Sequence, residues 1–339
     1  MIETLRAETE NLIRSWEQHE ASHLRDYLVA SVEDPRLNLQ SIFTRHFLVR
    51  HLFPRRFEAL MDEECRFATV MNWLLSVGPA LAESEVRTAL FHALRQGSDN
   101  AEGTQIPGFV TETFRHLPTP ADSIEVANYL ESFLEGTIQP QTATGIDDTT
   151  LRTFERIWKD VLFPLVRDNA PTVLEPACGS ANEYRFLNSF GLAPFLVYTG
   201  FDLCAKNIAN ARGLFPEVHF ERGNAFEIKA TDKSYDLCFL HDLLEHLSTD
   251  GMEVAVREIC RVTRRSICVG FFQMYEGPEH VIRPVDEYHW NTLSMDRMRN
   301  LFAESGFRAQ VIHVGTFLRQ KFGCEYTHNP NAYTFVLSQ

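Results

Sequence analysis

Two stretches of this chain carry residues whose types and spacing could bind and activate a small ligand. The first reads Val173-Leu174-Glu175-Pro176-Ala177-Cys178-Gly179-Ser180-Ala181-Asn182. A carboxylate followed at once by small residues lets the backbone turn tightly and approach a ligand closely. A dinucleotide site would want G-x-G-x-x-G, with a pyrophosphate at the helix start. That pattern is absent and Glu175 would face a phosphate badly, so the turn suits a ligand carrying positive charge. Roughly 20 residues past the glycine turn, Asp202, followed by Leu203, ends a second apolar run, where an acidic side chain can accept both hydroxyls of a ribose. The second stretch is His241-Asp242-Leu243-Leu244-Glu245-His246-Leu247. Histidine titrates near neutral pH, which makes His241 and His246, with Glu245, candidates for moving an acceptor's proton.

The elements that must position these groups are legible in the surrounding pattern. From Leu151 onward short apolar runs at 172–175, 196–201, 218–222, 235–240, 266–271, 309–314 and 334–337 read as strands. A helix over 151–166 leads in, and helical stretches such as 251–261 and 294–305 fall between strands, with Gly306 as a stop. Such alternation predicts an α/β fold with a mostly parallel sheet covered on both faces. Ligands then bind beyond the carboxyl ends of the strands, near the switch in strand order. An insertion at 270–293 follows the fifth strand at that same end. It mixes aromatics, histidines and acids, including Phe271, Phe272, Glu279, His280, Asp286, Glu287, Tyr288, His289 and Trp290. It reads equally well as a polar pocket wall and as a loop packing its own aromatics. The segment from Tyr326 to Tyr333 reads as the turn between antiparallel strands six and seven.

Residues 1–135 read as helical. Phe67, Val70, Met71, Leu74 and Leu75 recur at helical spacing, as do Val86, Leu90 and Leu94, and Ile124, Ala127, Leu130 and Leu134. Breakers at Asp34-Pro35, Phe53-Pro54, Gly78-Pro79, Gly97-Ser98 and Pro118-Thr119-Pro120 separate the runs. A Thr-, Gln-, Gly- and Pro-rich stretch at 136–150 reads as a linker. The expected division is an N-terminal all-helical domain over 1–140 and a catalytic domain over 141–339.

On these residues the second half resembles the class I, Rossmann-like, S-adenosylmethionine-dependent methyltransferases. Glu175 and the turn after it resemble their first motif, with Gly179 kept and Ala177 and Ala181 in the flanking glycine positions. Asp202 resembles their second motif. Asp242-Leu243-Leu244-Glu245-His246 resembles the "E-x-x-E-H" stretch of many members. The resemblance implies a seven-stranded, mostly parallel sheet and S-adenosylmethionine as cofactor, whose ammonium and sulfonium favour a nearby carboxylate. It implies cofactor contacts at Glu175, Ala177, Gly179, Ala181, Asp202, Leu203 and His241, with Asn224, Ala225 and Phe226 at the adenine. Similar stretches hold a divalent metal in some relatives. At a helix start Asp242, Glu245 and His246 would lie on one face, but many relatives carry such a stretch without metal, its acid capping a helix or orienting the histidine, and no metal is expected. His246 leads as general base and His289 as a second acceptor contact, with His241 and Glu245 behind them. The expected reaction is methyl transfer to oxygen, nitrogen or carbon of a small molecule. The alternatives are a methyltransferase acting on RNA or protein, and a module that binds the cofactor without catalysis. Helices ahead of such a domain cover the acceptor or mediate dimerisation, so a homodimer is one expected assembly.

Composition narrows the classes. The 339 residues are 44% hydrophobic and 23% charged, with a formal net charge of −14. That balance disfavours nucleic acid, which needs a basic track for its phosphates. The Arg261, Arg264 and Arg265 cluster reads as a solvated helix end. Without a long uncharged apolar run or an apolar leader, the chain is expected in the cytoplasm, off the membrane. Seven cysteines without a CxxC pair fit neither a disulfide framework nor a zinc ribbon, and read as small buried hydrophobes.

Overall fold

Strand and helix formers alternate from residue 151 onward, and a computed structural model of the chain arranges them as three layers. It describes residues 3–18, 34–77, 83–101, 103–116, 151–166, 168–285, 288–327 and 329–339. The helical run at 124–134, the breakers at 78–79 and 118–120, the linker at 136–150, Asp286, Glu287, His328 and the side chain of Leu75 lie outside the described residues, as does the expected division at 140.

The main sheet comprises β1 (Thr172–Pro176), β2 (Val197–Asp202), β3 (His219–Arg222), β4 (Tyr235–His241), β5 (Thr263–Phe271), β6 (Arg308–His313) and β7 (Tyr333–Ser338). Its order is β6-β7-β5-β4-β1-β2-β3. β7 runs antiparallel to both neighbours and all other pairs are parallel. This is the expected seven-stranded, mostly parallel Rossmann-like sheet. The order reverses between β1 and β4, so the crevice at a switch point lies beyond Pro176 and His241.

Helices cover both faces because alternate strand residues are apolar on each side. One face packs Val173, Leu237, Phe239 and Cys268 in a core shared with helices on either side of β1 in sequence. These include α2 (Leu39–Leu52), α3 (Glu58–Val77), α4 (Ser84–Gln96), α5 (Gly108–His116), α6 (Thr153–Leu162), α7 (Asn182–Ser189) and α8 (Ala205–Leu214). The other face packs Leu174, Leu240, Val269 and Phe335 against α9 (Thr249–Val262) and α10 (Met295–Glu304). The helix α1 (Glu3–Gln18) joins this second core through Leu5.

The apolar stripes of the N-terminal helices therefore find their partner on the sheet itself. α2 lies along β5: His51 Nε2 meets Ser266 Oγ at 3.1 Å, Thr44 Oγ1 meets Cys268 Sγ at 3.7 Å, and Gln40 Nε2 donates to Phe271 O. These residues fall on one helical face, and the helix runs antiparallel to the strand. A further helix, α11 (Val314–Phe322), sits between β6 and β7. The stretch from Tyr326 is consequently the return from this helix, and the expected simple turn between the last two strands is a helix plus a loop. Among the described residues no helix is long and apolar enough to cross a membrane. All seven cysteines are free and buried, as expected.

Candidate functional site

Glu175, next to last in β1, is buried beneath the first turn and accepts a hydrogen bond from the Tyr198 hydroxyl of β2. Burial pushes its carboxyl well above the usual range; the Tyr198 bond opposes this, and the charges of Glu183 and Asp202 add to it. In the turn that follows, Ala177, Gly179 and Ala181 all adopt left-handed backbone, at φ of 56°, 55° and 67°. The alternate-glycine geometry is thus kept although two of the three positions carry a methyl. β2 approaches closely at Gly200, where a Cβ would meet Tyr198 Oη at 2.8 Å and Cys178 Sγ at 3.0 Å. Asp202 then ties the two loops together. Gly179 N–H donates to its Oδ2 at 2.9 Å and Cys204 N–H to its Oδ1 at 2.8 Å, with Asn207 Nδ2 at 3.3 Å. Leu203, next along, is half-buried, and its carbonyl accepts from Arg222.

These groups fit a cationic ligand with a vicinal diol. Glu175, Glu183 and Asp202 are all buried around the turn, and among the described residues no Lys or Arg charge bears on Glu175 or Asp202. Buried carboxylates without a counter-charge are costly, and an ammonium or sulfonium offsets that cost. Near them, Asn182 Oδ1, Glu183 Oε2 and His241 Nδ1 are buried without hydrogen-bond partners among the described residues. Among the described residues Asp202 Oδ2 has a single donor, leaving a lone pair for a ribose hydroxyl.

After β3, Asn224 Oδ1 accepts from Phe226 N–H at 2.9 Å, which closes a small turn. Its amide donates to Thr9 Oγ1 of α1 at 3.2 Å, while Glu8 of α1 accepts from Ser248 N–H at 2.7 Å. Ala225 is partly buried and Phe226 buried against the second core. α1 therefore lies along the rim where the sequence places adenine.

At the end of β4, His241 projects on the same face as Glu175. Its Nε2 sits 2.7 Å from Thr44 Oγ1, and its Nδ1 packs so closely on Gly270 that a Cβ there would clash with it. Burial lowers its pKa, against the charges of Glu183 and Asp242, so the ring is neutral at pH 7. The chain then turns through Asp242 at φ 49° into a single 3₁₀ turn, Leu244–His246. That turn separates the three residues a helix would have aligned. Glu245 points inward, where Oε1 accepts from Phe272 N–H at 2.8 Å and Oε2 has no partner. Burial and then the Asp242 charge raise its pKa to about 7. His246 Nε2 meets Asp242 Oδ1 at 2.9 Å and its Nδ1 meets His289 O at 2.9 Å. Burial alone would lower the His246 pKa, but the Asp242 hydrogen bond and charge outweigh it and raise it to about 9. Both acceptors are oxygens, so both ring nitrogens carry protons. Among the described residues no group of three or more His, Cys, Asp or Glu is arranged to hold a metal ion.

His289 contributes its carbonyl to this arrangement, while its Nδ1 is buried without a partner. It lies in the insertion, which is built from a pairing of 284–285 with 288–289 and of 274–275 with 293–294. Tyr288 and Trp290 flank the His246 ring, with centroids at 5.7 and 5.2 Å. Sequence reasoning did not reach Tyr198, Glu183 or Thr44. Glu183 was findable as the acid one residue after the turn. Thr44 carried no signal, because its contact with His241 spans 197 residues.

Residues 174–266, from β1 into β5, match the family model described as a methyltransferase domain. An uncharacterized protein of Haemophilus influenzae is 28% identical over 154 residues, which cover 43% of this chain and 60% of that protein. The chain thus spans less than two thirds of that relative. Among solved structures, an S-adenosylmethionine dependent methyltransferase from Mesorhizobium loti is 15% identical at a TM-score of 0.39, covering 54% of this chain and 97% of that one. The 1,6-didemethyltoxoflavin-N1-methyltransferase of Burkholderia thailandensis is 14% identical at a TM-score of 0.38, covering 66% and 91%. Residues 174–266 are thus similar to a methyltransferase domain, and they lie on a sheet of Rossmann-like order.

Proposed function

We propose that this chain transfers a methyl group from S-adenosylmethionine to oxygen, nitrogen or carbon of a small-molecule acceptor. The observation that carries the reading is the coincidence of the family match with the switch-point crevice, where buried carboxylates have no cationic partner among the described residues. When bound, the cofactor supplies an electrophilic methyl group. Asp202 would hold the ribose, Glu175 and Glu183 the positive end, and Asn224 with Ala225 and Phe226 the adenine. Leu203 and the backbone of 177–181 would line the crevice. The chain's task in a displacement of this kind is to align the acceptor, exclude water and take a proton.

Among the candidate bases, His246 has no lone pair to offer while Asp242 and the His289 carbonyl hold it. Its assigned part is to fix the insertion over the crevice. His241 is neutral and has an unpartnered nitrogen, so it is the better base, with Glu245, poised near neutrality, as its reserve. The net charge of −14 favours a metabolite over RNA. Calorimetry with S-adenosylmethionine, followed by labelled-methyl transfer to metabolite pools, tests the proposal. Binding at roughly micromolar Kd, about −8 kcal/mol, with label in the small-molecule fraction is expected. Tight binding without transfer to any acceptor would favour a cofactor-binding module, and label in RNA or protein a macromolecular substrate.

A further inference from the structure

Two hydroxyls of α2 reach the two sides of the switch-point crevice. Ser41 Oγ donates to Glu183 Oε1 at 2.6 Å, beyond β1, and Thr44 Oγ1 lies 2.7 Å from His241 Nε2, at the end of β4. Both residues are buried, and three positions apart they share one helical face. Pinned at these two points, α2 cannot turn about its axis, and the Thr44 hydroxyl is held against the ring.

The roles at this contact follow from counting donors and acceptors. Burial keeps the imidazole neutral against the charges of Glu183 and Asp242, so one ring nitrogen carries a proton and the other a lone pair. Nδ1 has no hydrogen-bond partner among the described residues, and it packs on Gly270 where a Cβ would clash with it. A hydrogen stands where that Cβ would be, so Gly270 points a C–H at Nδ1. A lone pair on Nδ1 accepts such a C–H weakly. An N–H there would meet it hydrogen to hydrogen and would be a buried donor without an acceptor, which folded proteins rarely keep.

On the other side of the ring, Thr44 Oγ1 can take the proton of Nε2 because its own hydrogen has a second outlet. Cys268 Sγ lies 3.7 Å from it. Burial pushes that thiol up to about 12, so it stays protonated, with its sulfur a weak acceptor.

We infer that Thr44 is a positioning residue for His241: by accepting from Nε2–H it holds the ring in the tautomer whose lone pair is on Nδ1. The inference rests on the methyl-transfer reading for its purpose, since a histidine that takes a proton from an acceptor must hold a lone pair. It gives the N-terminal helices a part in the chemistry, from a residue outside the matched stretch 174–266.

Nitrogen NMR at pH 7 on the full chain, labelled at its histidine rings, tests this, with His241→Gln as the spectrum that assigns the signals. The unsubstituted chain is expected to show Nε2 protonated and Nδ1 bare. Thr44→Val keeps the side chain's shape and removes the hydroxyl. It should move the ratio of the two tautomers toward Nδ1–H roughly fivefold or more, the scale of one hydrogen bond, and Thr44→Ser should restore it. A purely structural Thr44 would lower the melting temperature on substitution and leave the tautomer ratio where it was, which would overturn the assignment. A proton on Nδ1 in the unsubstituted chain would overturn it too, and that reading needs no variant to fold. Failure of the unsubstituted chain to bind S-adenosylhomocysteine in calorimetry would instead overturn the methyl-transfer reading beneath it.

Discussion

His246 donates through both ring nitrogens, and that sets what the residue can do. A group whose folded pKa stands at about 9, against an ordinary 6.5, contributes stability that is complete below about pH 6.5 and is lost as pH rises through 9. His246→Gln should therefore flatten the decline in melting temperature between those values, while transfer falls through a displaced insertion. Thermal melts from pH 6 to 10 check this, and an unchanged pH slope would show that the Asp242 contact does not hold in solution. Asp202 works differently, since its carboxylate orders two loops before any ligand arrives. Asp202→Ala should weaken cofactor binding at least about tenfold, roughly 1.4 kcal/mol. It should also lower the melting temperature, because two backbone N–H groups lose their acceptor. Calorimetry and a melt on one variant separate the two effects, and unchanged affinity would remove Asp202 from the ribose.

At the scale of elements, the β1–α7 turn keeps a glycine geometry with alanines at two of its three left-handed positions. Each such alanine costs about 1–2 kcal/mol, partly offset by the greater entropy glycine would lose on folding. Ala177→Gly and Ala181→Gly should each raise stability by up to about 1 kcal/mol in a denaturant melt, and destabilisation by either would mean that the methyl packs more than it strains. The turn itself was legible in the sequence, and so were the seven strands, because short apolar runs between breakers and helices have little other reading. The packing of α2 on the sheet was not, although a helix was expected there: twelve of its 14 residues are buried, so no apolar stripe against a polar face names the side it turns to β5. The 3₁₀ turn after β4 was equally hidden. The spacing of Asp242, Glu245 and His246 fits a helix, and only the left-handed Asp242 and the inward pull of Phe272 N–H on Glu245 turn them apart.

Across the whole molecule, one buried network decides whether the N-terminal helices and the sheet are one folding unit. Glu64 of α3 accepts from Arg45 of α2 at 2.9 Å and from Trp158 of α6 at 2.8 Å, and meets His46 Nε2 at 2.7 Å. Arg45 also donates to Pro35 O, and its guanidinium lies 4.2 Å from the ring centroid of Phe190, just past α7. Elements from both sides of residue 140 thus meet at one carboxylate, inside a core continuous with the sheet. Burial alone would raise the Glu64 pKa, yet Arg45 above all holds it at about 2. Depressed below its ordinary 4.5, the group contributes stability above about pH 4.5 that is lost as pH falls toward 2. Glu64→Gln leaves the Arg45 charge buried without a counter-ion, an arrangement that costs about 3–5 kcal/mol. The expected outcome is one cooperative transition at lower temperature, seen alike by tryptophan fluorescence and by loss of cofactor binding, with a weaker acid dependence. If the helices were a separate module, the substitution would split the melt, leaving the cofactor-binding transition where it was. Coincident loss of both signals means that the sheet cannot hold its cofactor crevice without the helix that lies along β5.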